Sequence, residues 1–428
     1  MIKIGNKNNL LIRESLLKIN QDIFIIKENH SFSISMTRKD NLFSILPRIN
    51  FKNTFTSRFN TKFPYMAGAM AKGISSKQML TELSDSGFLG IFGSAGLSNE
   101  KIINTAKELK SNKINFGVNL INIPGNQENE INLILDLIKN GVDKISAGAY
   151  IKLTPGLVLF RVKGLKKDAN GKIYIKNNLI AKLSRKEIAK RFMSPPPARI
   201  IKNLLDRKLI TKEEALLAES IPMTSSIIAE ADSGGHTDKQ PAISLLPEIL
   251  YLRDKMKNQY DKAISICIGL GGGIATPESA LAAFSMGADF IVTGSINQSC
   301  IESGTSNPVR EILSMISQSD FSLAPSADTF ELGGRVQVVK KKTKFSSRAK
   351  FLEKMYHENS SLNDIKEEDK KFLEEKIFRK DLESEWQTTL DFFQKKGKPI
   401  NEDTLTEKQK MALLFKSYLG QSSWWAIN

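Results

Sequence analysis

A chain of 428 residues, 41% of them hydrophobic, carries enough apolar side chain for a sizeable core, which excludes a disordered protein. Its 62 Lys and Arg against 46 Asp and Glu leave a formal charge of +16, a balance suited to an anionic partner such as nucleic acid, a membrane surface or an acidic protein. Two cysteines (Cys267 and Cys300) and three histidines are too few for a disulfide framework or a Cys/His-rich metal centre, and no apolar run reaches the ~18 residues of a membrane span.

The first residues, Met1 to Glu14, are broken by Asn and charge and make a poor signal peptide, so a reducing, cytoplasmic location is expected. Residues 1–60 read as a small N-terminal region of short strands, at Ile23 to Ile26 and Phe43 to Leu46. From Lys62 the texture changes. Apolar runs end in Gly/Ala/Ser-rich segments, and each is followed by a helical stretch. The runs are Pro64 to Met70, Phe88 to Phe92, Ile114 to Ile121, Lys144 to Tyr150, Leu179 to Leu183, Ile227 to Ala231, Ala263 to Leu270 and Phe290 to Thr293. Such alternation predicts βα units on a parallel sheet, and about eight units close an α/β TIM barrel, (β/α)8. An open doubly wound sheet would also alternate. However, no G-x-G-x-x-G follows the first strand, and small polar residues follow nearly every strand rather than one switch point.

The barrel, residues 61–345, is interrupted by an insertion at about 157–221. Two strand-like runs there, Val158 to Val162 and Ile173 to Ile180, flank the turn signal Asp168-Ala169-Asn170-Gly171. Residues 151–220 hold 17 Lys or Arg against 6 Asp or Glu, so most of the excess charge sits in this segment. Residues 346–428 read as a C-terminal helical extension. Trp386, Trp424 and Trp425 fall within it and are expected to pack helices onto the barrel.

Three segments point to chemistry. Gly271-Gly272-Gly273 and Thr293-Gly294-Ser295 close the last two strands, where barrels of this kind bind phosphate. Glycines let the backbone approach closely, and N–H groups before a helix bind the anion, so a phosphate-bearing cofactor is expected. Glu230-Ala231-Asp232-Ser233-Gly234-Gly235-His236-Thr237-Asp238 ends the preceding strand and would carry His236 over the mouth. Imidazole exchanges a proton near neutral pH; the plainer alternative is a structural hydrogen bond. Glu230, Asp232 and Asp238 read equally well as groups that hold the loop, and no metal site is expected. Asn119, in an otherwise apolar strand, needs partners for its amide: a cofactor ring edge or a backbone group.

Together these segments resemble a known family. Pro64 to Ile74, the E-A-D-S-G-G-H-T-D run, G-G-G-I-A-T-P-E, T-G-S-I-N-Q, Ala181 to Arg185 and Ala324 to Gly333 are similar to the PfaD-type stand-alone enoyl reductases of polyketide and polyunsaturated fatty-acid synthases. That family is related to the nitronate monooxygenases. The chain departs from it at Lys239-Gln240, where Asn-Arg is more common, and in residues 1–60. The resemblance implies FMN in the barrel mouth, NADPH as hydride donor, and an enoyl thioester on an acyl carrier protein as substrate. It implies that Gly272, Gly273, Gly294 and Ser295 hold the FMN phosphate. Ala67, Gly68, Met70 and Asn119 would line the flavin ring, Lys182 would approach it, and His236 would face the substrate.

The expected function is a trans-acting, FMN-dependent enoyl reductase. A nitronate monooxygenase would use the same flavin and histidine with oxygen. A non-catalytic nucleic-acid binder lacks its carrier, because the basic segment has no interleaved aromatics to stack on bases.

Overall fold

The computed structural model describes residues 21–28, 31–46, 52–123, 125–257, 260, 265–395 and 399–427. Two compact units divide the chain, Met1–Pro64 and Tyr65–Asn428. In the first, β1 (Ile23–Glu28), β2 (Ser31–Ser35) and β3 (Leu42–Leu46) form an antiparallel sheet in the order β2-β1-β3. Helix α1 (Thr54–Phe59) follows, started by reciprocal capping bonds between Asn53 and Thr56. The Met1 to Glu14 stretch and the first residues of the Ala263 to Leu270 run lie outside the described residues.

The second unit begins with β4 (Tyr65–Ala67), α2 (Lys77–Asp85), β5 (Leu89–Phe92), α3 (Asn99–Ser111), β6 (Phe116–Ile121), α4 (Gln127–Lys139) and β7 (Lys144–Gly148). Helix α5 (Pro155–Val162) and a small ribbon, β8 (Lys166–Lys167) with β9 (Ile173–Tyr174), lead to β10 (Asn178–Leu183). Next come α6 (Lys186–Met193), α7 (Ala198–Asp206), α8 (Lys212–Ala218), β11 (Ser226–Glu230) and α9 (Ala242–Met256). The last repeats are β12 (Cys267–Gly271), α10 (Pro277–Ser285), β13 (Phe290–Thr293) and the short α11 (Ser295–Gln298), then α12 (Asn307–Ser314). All eight long strands pair in parallel and close in the order β10-β11-β12-β13-β4-β5-β6-β7. The architecture is therefore the expected (β/α)8 barrel, with β12 and β13 as strands seven and eight. Side-chain caps from Ser76, Ser98, Thr154 and Thr276 start four of the helices, each accepting from the N–H three residues on.

Strand alternation separates two apolar layers. Phe116, Val118, Ile145, Leu179, Ile227 and Ile268 pack outward under the helices. Met66, Ile91, Ile180, Ile228, Phe290 and Val292 fill the interior, and glycines make the room for them. A Cβ on Gly269 would lie 2.5 Å from the Phe290 ring, and one on Gly117 would lie 2.7 Å from Ile91.

Residues 157–221 differ from the expected insertion. They include barrel strand β10 and the helices beside it, so only the β8–β9 ribbon and α7–α8 add to the βα repeat. The Val158 to Val162 run is helical, not a strand, because Thr154 caps it and Pro155 opens it. Every residue from Gly156 to Val162 is buried, so the helix shows no polar stripe. Arg161 sits inside this apolar turn. Its guanidinium donates to Pro222 O at 3.0 Å, Asn177 O at 2.9 Å and Ser225 Oγ at 2.7 Å. Arg161→Ala would strand these buried acceptors and is expected to cost about 3 kcal/mol in denaturant unfolding. A loss below 1 kcal/mol would show that the acceptors find other donors.

After the barrel, β14 (Phe321–Pro325) and β15 (Arg335–Val339) form an antiparallel hairpin. Helices α13 (Phe345–Glu358), α14 (Glu367–Phe372), α15 (Leu382–Lys395) and α16 (Glu407–Gln421) then build a second core around Phe330, Leu352, Trp386 and Phe415. Of the three tryptophans only Trp386 is buried there. Trp424 lies instead under Lys72 of the loop after β4, with the Lys72 ammonium 3.8 Å from its ring centre.

Candidate active site

The carboxyl ends of the eight strands form the mouth, and the glycine loops occupy one arc of it. Gly272 has φ 104°, and a Cβ there would lie 2.7 Å from Ala231 O and 2.8 Å from Asp232 O. Only glycine fits against the β11 loop at that point. Gly273 (φ 72°) and Gly294 face open space, with no atom within 4 Å of where a Cβ would stand. Their backbone is thus accessible to a ligand. Tyr65 ties the first strand to this arc: its hydroxyl bonds Thr293 Oγ1 at 2.6 Å and donates to Asn297 Oδ1 at 2.8 Å. Burial pushes the Tyr65 phenol up, so it stays a neutral donor. Gly68 N–H donates to Thr293 O at 2.9 Å, which sets Ala67 and Gly68 beside Gly294 and Ser295.

The opposite arc is polar and inward. Asn119 is 7% exposed, and its side-chain amide has no hydrogen-bond partner among the described residues, although Ser94 Oγ donates to its backbone carbonyl. Its amide atoms are not sealed from solvent, so they are open to water or to a ligand in the mouth. Lys182 also points inward: a Cβ on Gly148 of β7 would lie 3.7 Å from its Cε, and its ammonium meets Glu230 at 2.5 Å. Met70 lies on the loop after β4, where its N–H donates to Ser75 Oγ at 2.8 Å.

His236 lies on the loop that follows β11. Gly234 places that loop against the glycine arc, since a Cβ there would be 3.8 Å from Ser295 Oγ. Gly235 and Gln337 exchange backbone hydrogen bonds at 3.0 and 3.1 Å, which stitches the loop to the β14–β15 hairpin. His236 Nε2 lies 2.8 Å from Ser326 Oγ and 3.6 Å from the Asp328 carboxylate. Neither Ser326 nor Asp328 was singled out from the sequence; 90 residues separate Ser326 from His236, and only the hairpin brings them together.

The acidic residues around the histidine hold loops. Asp238 takes the Arg185 guanidinium at 2.9 and 3.3 Å and a hydrogen bond from Ser184. The Arg185 guanidinium beside it holds the Asp238 carboxyl below the ordinary carboxylate range. A lowered carboxylate pKa means the clamp is intact above the ordinary value and lost only as pH falls through the lowered one. The loop therefore stays clamped across the whole range in which an imidazole titrates.

The residues present fit a phosphate-bearing ring cofactor: an open glycine cradle on one arc, an amide across from it with no side-chain hydrogen bond among the described residues, and a histidine on the loop beside the cradle. Fold and mouth together define a (β/α)8 barrel whose glycine loops close strands seven and eight.

Comparison with known proteins narrows this class. The enoyl reductase domain of MlnA, from the macrolactin biosynthesis cluster of Bacillus amyloliquefaciens, superposes with a TM-score of 0.81 at 38% identity, covering 88% of this chain and 85% of that one. The polyketide biosynthesis protein PksE of Bacillus subtilis is 39% identical over 87% of this chain and 49% of its own length. A polyunsaturated fatty acid synthase protein of Thraustochytrium is 37% identical over 87% of this chain and 25% of its own length. The chain thus spans about half or less of the length of these curated relatives. Residues 359–428 also match the family model of the inserted helical domain of [acyl-carrier-protein] S-malonyltransferase. The chain belongs to the PfaD-like enoyl reductase family of polyketide and polyunsaturated fatty-acid synthases.

Proposed function

We propose that this protein is a trans-acting, FMN-dependent enoyl reductase that uses NADPH to saturate the α,β double bond of enoyl thioesters on an acyl carrier protein. Its setting is polyketide or polyunsaturated fatty-acid biosynthesis in the cytoplasm. The observation that carries the reading is the meeting of the histidine loop with the glycine arc at Gly234 and Ser295. In this reading residues 1–60 are a small N-terminal region, 61–345 the FMN barrel and 346–428 a helical extension.

Gly272, Gly273, Gly294 and Ser295 would hold the FMN phosphate through backbone N–H groups and a hydroxyl. Ala67, Gly68, Met70 and Asn119 would line the ring, the Asn119 amide gaining there a partner it lacks among the described residues. Lys182, held by Glu230, approaches from its own strand. FMN, when bound, supplies the hydride relay from nicotinamide to the thioester β-carbon. His236 would hold a proton for the α-carbon or donate to the thioester oxygen as negative charge develops there. The test is spectroscopic. Purified protein should be yellow, bleach with NADPH under anaerobic conditions and regain colour with an enoyl thioester. Reoxidation by a nitronate instead would make the protein a nitronate monooxygenase.

Delivery of a carrier-bound substrate has a surface to act on. Lys186 and Lys190 of α6 and Lys255 of α9 line an open groove of about 610 Å³ floored by Leu252 and Met256. Acidic carriers would be steered there, an attraction screened over ~8–10 Å at physiological salt. Rising salt should lower kcat/KM for carrier-bound substrate and leave a short uncharged thioester unaffected. Lys186→Glu with Lys190→Glu should reproduce that selective loss. Equal salt sensitivity for both substrates would mean the segment is an ordinary solvated face.

A further inference from the structure

The C-terminal helices enclose a cavity of about 400 Å³, within the ~300–1,000 Å³ range of small-molecule sites. Its walls include Arg348, Phe378, Arg379, Lys380, Glu385 and Trp425. The charges on them do not balance. Glu385 is buried and already taken by Lys380 at 2.8 Å, Ser417 at 3.2 Å and Gln421 at 3.4 Å. Arg348 reaches a neutral phenol, Tyr418 Oη, at 3.4 Å. The Arg379 guanidinium has no partner among the described residues. Two guanidinium groups thus line one cavity whose carboxylate, Glu385, is already paired with Lys380, an arrangement that suits a phosphate.

Another wall is aromatic. Trp425 meets Tyr418 edge-on at 5.3 Å, and Tyr418 meets Phe378 edge-on at 6.2 Å, so the half-exposed Trp425 ring is held in place with a face left for a base. The chain that lines the cavity also reaches a barrel loop. Ser423 and Trp424, the residues just before Trp425, both contact Lys72, which is four residues beyond Gly68 on the loop after β4.

We infer that this cavity binds the adenosine-phosphate end of NADPH, with the 2′-phosphate on Arg348 and Arg379 and the base against Trp425. The inference rests on the reductase reading, in which the nicotinamide enters the mouth and the far end of the dinucleotide needs a foothold at the rim. A phosphomonoester on adenosine is also what coenzyme A carries, at the 3′ position, so the two sources are tested side by side.

Calorimetry on the flavin-loaded full chain with 2′,5′-ADP, 3′,5′-ADP and 5′-AMP reads the site without turnover. 2′,5′-ADP should bind, compete with NADPH and exceed 5′-AMP by about 10-fold or more. Arg379 lies at φ 60°, so Arg379→Gly keeps its backbone. That change and Arg348→Gln should each weaken 2′,5′-ADP by about 10- to 100-fold at unchanged melting temperature. Both should raise KM for NADPH and leave KM for NADH in place. Tighter binding of 3′,5′-ADP overturns the assignment to NADPH. Unchanged 2′,5′-ADP affinity in both variants overturns the site, even where NADPH reduces the flavin. Weakened 2′,5′-ADP binding in the variants, with no flavin reduction by NADPH in the parent, supports the cavity and overturns the reductase reading.

Discussion

His236→Ala is expected to retain flavin and accept hydride from NADPH, yet turn over enoyl thioesters about 10²- to 10⁴-fold more slowly. The imidazole is two-thirds exposed over the mouth, on a loop fixed by backbone bonds to Gln337 and by the Arg185–Asp238 clamp. Neither support involves the ring, so removing the ring should leave the loop in place. Loss of the proton-exchanging group would then appear in the thioester half-reaction alone. Ser326→Ala provides a graded comparison, because it removes the hydroxyl 2.8 Å from Nε2 and keeps the imidazole. That variant should keep most of the rate. Near-normal turnover in His236→Ala would reduce the histidine to a loop holder.

Gly273→Glu is expected to yield protein that folds but loses its flavin. At φ 72° a side chain is strained by ~1–2 kcal/mol, and the new carboxylate would stand in the cradle meant for a phosphate. Like charges pressed together cost several kcal/mol, enough to lower affinity by about 100-fold or more. Gly273→Ala carries the strain without the charge and should keep most of its flavin. The absorbance ratio of flavin to protein in the two purified variants decides the matter. Full flavin in Gly273→Glu would mean the phosphate lies elsewhere.

The barrel was legible because its strands are short, β-rich and punctuated by Gly and Ser, and the order of the last two could be counted. The glycine loops were legible for the same reason. The α5 helix was not: seven consecutive buried residues erase the 3.6-residue period, and a fully buried helix then reads as a buried strand. Its Thr154-Pro155 start was the available signal. The supports of His236 were invisible for a different reason. Ser326 and Asp328 become neighbours only because a hairpin after the barrel folds back onto the β11 loop, and no local pattern encodes that approach. Arg185 and Asp238, on the loops of adjacent strands five and six, were closer to inference, since neighbouring barrel loops must meet.

The Gly235–Gln337 bridge reaches further than the mouth. The hairpin that holds the histidine is itself held from behind: Arg335 pairs with Glu353 of α13 at 2.9 Å, Ser346 donates to Ser322 at 2.9 Å, and Phe330 is locked between Tyr356 and Phe415. The placement of one imidazole is therefore borrowed, through a ribbon two strands wide, from the tightness of a helical core that follows the barrel. Without that backing the ribbon would lose its support and the ring would be free to wander. The carboxyl-terminal helices thus serve as the mount on which the barrel's precision depends, and loosening their packing would be felt first as imprecise chemistry, before any unfolding.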